Sequence, residues 1–225
     1  MSSPSQIPSQ WTLVDADPGL RSATLQPNQV VWPARRCENL SALLSGLAPN
    51  RDHNADLAQR LADLPDRGKS RSPLFAIFAA DPFIGGTGLM TALRAKGYDR
   101  VINWPTTSQY GEHFGGTLDS VNLGVRQECE TLQRFSKQGY RVSIAVALPE
   151  AVAAFDGLQP EAVFVAPGFD LWKKSGRFDV ARMLRRCSAI AAVVASAVPV
   201  ILMADRGKVS MEQAKSAGAS GVLLA

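Results

Sequence analysis

The chain has 225 residues, of which 46% are hydrophobic, 20% charged and 7% aromatic, and its formal net charge is +4. These proportions exclude a disordered, collagen-like or mucin-like chain, and the length suits one large domain or two small ones, near the lower limit of roughly 200 residues for an eight-stranded α/β barrel. No apolar run approaches the roughly 18 residues of a membrane span, and the polar start MSSPSQIPSQ lacks the basic and apolar regions of a secretory signal.

Residues 1–11 read as a flexible tail, and 12–225 as a single domain. Two early runs, Trp11–Val14 and Asn28–Trp32, are candidate strands, and Leu40–Leu47 and Ala55–Leu64 have helical character. Asp66–Ser72 is a polar connector. From Leu74 onward short apolar runs alternate with helical stretches. The runs are Leu74–Ala80, Val101–Trp104, Val142–Leu148, Ala162–Ala166, Val198–Ala204 and Gly221–Ala225. They are continuously apolar, as strands covered on both faces are, which predicts a parallel sheet. The helical stretches are Leu89–Lys96 and Leu118–Gln138, each stopped by a glycine, then Pro149–Phe155, Val180–Ala197 and Ser210–Ala217. Ser210 followed by Gln213 predicts a capping box. These βαβ steps fit a closed barrel or an open doubly wound sheet. Counting both early runs gives eight strands, the barrel number. The first strand–helix unit would then be abbreviated, and no closing helix would follow the last strand.

In parallel α/β folds ligands sit at the carboxyl ends of strands, so the residues after each apolar run are the candidates. Asp81, before Pro82, either holds Mg²⁺ or acts as a base in the mouth, or else caps a turn. Gly85-Gly86-Thr87-Gly88 precedes a helix, where Gly86 would let backbone approach a phosphate, although a flexible turn explains the run as well. Asn103 and Thr106 are neutral hydrogen-bonding groups suited to orienting a carboxylate or carbonyl, and Trp104 reads as core or wall. Asp205 and Arg206 could supply a second carboxylate and an anion-binding guanidinium, or a local ion pair. Lys173 opens a basic stretch running to Arg186, able to attract an anion or simply solvated. That stretch is too weak a stripe for a nucleic-acid binder. His53 and His113 are the two histidines, and neither accompanies carboxylates as a zinc site would. Glu128 and Glu130, two apart on a helix, face different ways and read as solvated or salt-bridged. Cys37, Cys129 and Cys187 make neither a disulfide framework nor a zinc site, so a reducing cytoplasm is expected.

The segments Asp81-Pro82-Phe83, Asn103-Trp104-Pro105-Thr106, Gly111 with Phe114, Leu118-Asp119 with Gly124, and Glu128-x-Glu130 carry a resemblance. So do Pro149-Glu150, Val165-Ala166-Pro167-Gly168 and Ala217-Gly218-Ala219. With them the chain resembles the phosphoenolpyruvate hydrolase-like TIM-barrel family over about residues 29–225, most specifically over 75–150. The resemblance implies a (β/α)₈ TIM barrel with Asn28–Trp32 as second strand and Leu74–Ala80 as third. It implies a small phospho- or phosphono-keto acid as ligand, Mg²⁺ as a possible cofactor, and homo-oligomers. The family carries histidines near the ends of its sixth and seventh strands; here Ala166 and Ala204, or their neighbours, take those places. Two functions follow as expectations. One is a hydrolase or lyase with Asp81 and Asp205 as catalytic carboxylates, Asp81 also as metal ligand, and Asn103, Thr106, Gly86, Arg206 and Lys173 on the substrate. The other is a divergent barrel that senses a ligand or a partner without catalysis.

Overall fold

The computed structural model describes residues 8–15, 25–32, 52–67, 72–171 and 178–225. Eight strands form a closed parallel barrel in chain order. They are β1 (Gln10–Asp15), β2 (Gln29–Trp32), β3 (Leu74–Ile77), β4 (Arg100–Asn103), β5 (Arg141–Val146), β6 (Val163–Val165), β7 (Val200–Ala204) and β8 (Gly221–Leu224). β8 closes on β1 with Trp11 opposite Leu223. The chain is therefore a TIM barrel, and the open sheet is excluded. β1 begins at Gln10, inside the stretch read as tail. The expected abbreviated unit after β1, at 16–24, and the helix expected at Leu40–Leu47 lie outside the described residues.

Alternation along each strand sorts the apolar side chains into two cores. One face contributes Trp11, Val30, Trp32, Leu74, Ala76, Ile102, Trp104, Ala145, Phe164, Ile201, Met203 and Leu223 to a cluster that fills the barrel. The other face sends Val31, Phe75, Ile77, Val101, Ile144, Val165 and Leu202 to the layer under the helices. Burial on both faces is why the runs are continuously apolar. The floor of the barrel is polar. Arg100, 1% exposed, donates from Nε to Glu161 at 2.6 Å and from Nη1 to the Pro27 and Ser72 carbonyls at 3.0 Å.

Among the described residues the α-helices are α1 (His53–Leu61), α2 (Leu89–Ala95), α3 (Glu112–Ser120), α4 (Val125–Lys137), α5 (Val180–Val193) and α6 (Met211–Ser216). Asp52 caps α1 by accepting from Ala55 N, and the Ser210–Gln213 capping box starts α6 as expected. Pro149–Phe155 forms a 3₁₀ helix rather than an α-helix. The helix expected over Leu118–Gln138 is two helices. α3 ends at Ser120, Asn122 turns to a φ of 57°, and α4 starts after Gly124. A Cβ on Gly124 would stand 1.8 Å from Asp119 Oδ1 and 2.9 Å from its Cα, so the two helix ends approach closely only because residue 124 is glycine.

Candidate functional site

The carboxyl end of β4 carries the most elaborate polar construction. Trp104 follows Asn103, and the two side chains take opposite faces. Trp104 points into the barrel, where its ring lies 4.3 Å from that of Trp32. Trp32 stacks in turn on His53, with centroids 5.5 Å apart. The Trp104 indole Nε1 is buried and has no hydrogen-bond partner among the described residues.

Asn103 points the other way, out toward α4. Its Oδ1 accepts from Ala145 N at 2.7 Å, and its Nδ2 donates to the Ala145 carbonyl at 3.0 Å and to Glu128 Oε2 at 2.5 Å. The Thr106 hydroxyl donates to the same Glu128 oxygen at 2.9 Å, and Thr107 N donates to Oε1 at 2.5 Å. Asn103, Thr106 and Glu128 are each 0% exposed. Burial pushes the Glu128 carboxyl up to about 7, against the lowering pull of these donors. The network extends across the barrel rim. Thr106 Oγ1 shares a hydrogen bond with Ser108 Oγ, which accepts from Ala147 N. Thr106 and Gln109 form a capping box on the 3₁₀ turn Thr107–Tyr110, and Gln109 Nε2 donates to the Pro167 carbonyl after β6 at 2.8 Å.

The other candidates are dispersed. Asp81, half-buried, accepts from Asn54 Nδ2 through Oδ2 and from Phe83 N through Oδ1, both at 2.8 Å. Asn54, on α1, also bonds both backbone groups of Phe78, which stops β3 three residues short of the end of its apolar run. The Gly86 amide is engaged by the Phe83 carbonyl at 2.8 Å, in an exposed 3₁₀ turn. Asp205 and Arg206 follow β7, four strands from β3 around the barrel. Arg206 is exposed, with its backbone N donating to the Ala225 carbonyl. Lys173 lies outside the described residues. The structure thus joins Asn103 and Thr106 in one network and leaves Asp81, Gly86, Asp205 and Arg206 outside it.

Among the described residues no group of three or more His, Cys, Asp or Glu side chains assembles as a metal-ligand set. A magnesium ion is commonly held by one or two carboxylates with substrate oxygens and water. Here it would have to share Asp81 with two short hydrogen bonds. The described residues thus offer no ready-made carboxylate set for a protein-held Mg²⁺.

Glu128 corrects the sequence reading: it is neither solvated nor salt-bridged. The signal was present, because Val125, Glu128, Cys129, Leu132 and Phe135 mark the inward stripe of α4, and a glutamate there needs partners. His53 is buried against Trp32, while His113 is exposed on α3. An aromatic cluster crosses from the β4 loop to the β6 loop, with Tyr110 5.2 Å from Phe114 and 5.3 Å from Phe169. No helix among the described residues is long and apolar enough to cross a membrane.

No protein-family profile matches the chain. A mutant FabK from Thermotoga maritima superposes with a TM-score of 0.55 at 14% identity over 96% of this chain, and this chain spans only 61% of that one. Oxaloacetate acetylhydrolase, in complex with the inhibitor 3,3-difluorooxalacetate, superposes at 0.51 with 12% identity over 96% of this chain and 74% of its own. At such identities the likeness is one of fold. In sequence, the uncharacterized protein y4oT of Sinorhizobium fredii is 32% identical over 148 residues, 62% of this chain and 70% of that protein. That length of shared sequence places the chain in one family with the Sinorhizobium protein.

Proposed function

We propose that this barrel is an enzyme that works at the carboxyl ends of its strands on a small phospho- or phosphono-keto acid, as the phosphoenolpyruvate hydrolase-like family does. The observation that carries the reading is the Trp104 indole N–H, buried at the mouth end of β4 with no acceptor among the described residues. A buried donor without a partner costs about 1–3 kcal/mol, and native chains keep few of them. An oxygen of a bound anionic substrate supplies the missing acceptor. The Trp32 and His53 rings beside it give the small organic part of such a ligand an apolar wall.

The remaining roles follow from where these residues stand in the sequence, after the apolar runs that form strands. Asp81 after β3 and Asp205 after β7 are the carboxylates assigned to proton transfer, on opposite sides of the mouth. Arg206 and Lys173 provide charge for the phosphoryl or phosphonyl group, and Gly86, its amide held by the Phe83 carbonyl, offers room for close approach. Asn103 and Thr106 serve the substrate indirectly, by fixing the segment that carries Trp104. The keto-acid class is supported by the sequence resemblance and agrees with the keto-acid analogue in the acetylhydrolase complex of the same fold.

The competing reading is a barrel that binds a ligand or a partner without turning anything over. One observation favours it: both Asp81 oxygens are engaged by local bonds. A steady-state assay of phosphate and pyruvate release from phosphoenolpyruvate and phosphonopyruvate, with and without Mg²⁺, separates the two. Turnover that Asp81→Asn abolishes and Trp104→Phe weakens chiefly through KM supports the enzyme. Ligand binding without product, lost in Trp104→Phe, supports the second reading. Neither turnover nor binding refutes both.

A further inference from the structure

The Glu128 network is built for a charged carboxylate. Every hydrogen bond to its two oxygens comes from a donor: Asn103 Nδ2, the Thr106 hydroxyl and Thr107 N. Asn103 cannot turn its amide around, because Ala145 N already occupies Oδ1. A proton on Oε1 would face the Thr107 N–H. A proton on Oε2 would force the Thr106 hydroxyl to turn from donor to acceptor. The Thr106 hydrogen would then have to go to Ser108 Oγ, which already accepts from Ala147 N. The two protonation states therefore demand different hydrogen-bond patterns in the segment directly joined to Trp104.

We propose that Glu128 is a positioning residue whose ionisation sets the Trp32–Trp104 pair at the barrel mouth: the carboxylate holds Asn103–Thr107 in place, and protonation releases that hold. The proposal goes beyond the assignment of an enzymatic function. It is a statement about the ligand-free protein and stands or falls without any substrate. The carboxyl has the means to respond near neutrality, since burial raises it to about 7. None of its hydrogen-bond partners is charged. α4 packs against β4, β5, α3 and the 149–155 turn. The charged groups those elements carry are Arg100 and Arg141 at the far ends of β4 and β5, Glu112, His113 and Asp119 on α3, and Glu150 in the turn. Arg100 and Arg141 are committed to Glu161, and Arg141 also to Asp99. On α4 itself Glu130 and Arg134 are exposed, while Cys129 is buried beside Glu128.

Two indoles 4.3 Å apart, tilted at 35°, couple optically, so the pair reports its own geometry through its exciton circular dichroism and its fluorescence. The test is a titration of both signals from pH 5 to 9 on the full, ligand-free chain. Trp104→Phe identifies the part of the signal that belongs to the pair. The expected result is a single transition with a midpoint near 7 that disappears in Glu128→Gln and persists in His53→Gln and His113→Gln. Thr106→Val keeps the carboxylate but removes one donor, so its midpoint moves upward by about half a pH unit or more. That variant decides the matter if Glu128→Gln does not fold. The proposal is overturned by a wild-type signal flat between pH 6 and 8, by a transition that survives Glu128→Gln, by one that follows His53, or by an unmoved midpoint in Thr106→Val. A flat signal leaves the enzymatic reading untouched, whereas missing turnover with an intact transition counts against that reading alone.

Discussion

The floor of the barrel permits a sharp energetic prediction. The Arg100 guanidinium is 1% exposed and lies 5.5 Å from the Trp11 ring, with Glu161 as its charged partner and two carbonyls as neutral ones. Glu161→Gln leaves that cation buried. Removing one member of a buried pair costs about 3–5 kcal/mol. Glu161 is itself 19% exposed and glutamine keeps one acceptor, so the lower end, about 2–3 kcal/mol, is expected here. Arg141 loses the same carboxylate but retains Asp99 at 2.9 Å. At about 2–4 °C per kcal/mol for a chain of this size, Tm falls by about 4–12 °C. Arg100→Met combined with Glu161→Gln removes both charges and recovers most of that loss, since an apolar replacement of a buried pair is often close to neutral. Urea and thermal unfolding of wild type, both single variants and the double variant at pH 7 close the cycle. A Glu161→Gln cost below about 0.5 kcal/mol, or strict additivity in the double variant, would refute the assignment of Arg100 and Glu161 as a coupled buried pair.

Three further outcomes follow from local geometry and titration. Gly221→Ala brings a Cβ to 2.5 Å from the Ser9 carbonyl oxygen at the β8–β1 seam; a loss of about 1–3 kcal/mol is expected in denaturant unfolding, and an unchanged midpoint would show that the seam can yield. Gly85→Ala is the contrast, with nothing within 4 Å, and should change stability by no more than about 0.5 kcal/mol in the same assay. Glu128 titrates at about 7 in the folded chain against 4.5 as its reference. The folded state therefore binds its proton more tightly, and the stability this contributes is present below pH 4.5 and lost as pH rises through 7. The loss amounts to about 3 kcal/mol. The difference between wild-type and Glu128→Gln stability, measured by urea unfolding from pH 4 to 8, should follow that slope, and a difference that stays constant with pH contradicts it.

The strands from Leu74 onward were legible because they are buried on both faces, which leaves largely apolar runs with little polar alternation to blur them. The eight runs matched eight strands, and Gly97 ended α2 where expected. Strand ends were less legible. β3 stops at Ile77 because Asn54, 24 residues earlier in the chain on α1, takes over the Phe78 backbone. The break between α3 and α4 was also missed, since it depends on the left-handed turn at Asn122 and the glycine-tight contact with Asp119 rather than on hydrophobic periodicity.

The site was harder to read for a reason that follows from the same burial. In a half-exposed strand, polar and apolar residues alternate and announce which face each side chain takes. In Val101-Ile102-Asn103-Trp104 both neighbours of Asn103 are apolar, so nothing local says that Trp104 enters the barrel while Asn103 leaves it. Asn103 has the chemistry to bind a substrate and stands at the strand end where substrates bind, yet its amide is spent on Ala145 and Glu128. What fixes its direction is the helical side of the sheet. A glutamate in the inward stripe of α4 must find donors, and the end of β4 with the segment after it offers Asn103, Thr106 and Thr107. A carboxylate buried behind the sheet is costly, and replacing such groups with apolar ones is often neutral or stabilising. Its place behind the end of β4, which presents an indole N–H without a partner among the described residues, argues that it serves the mouth rather than the stability of the barrel.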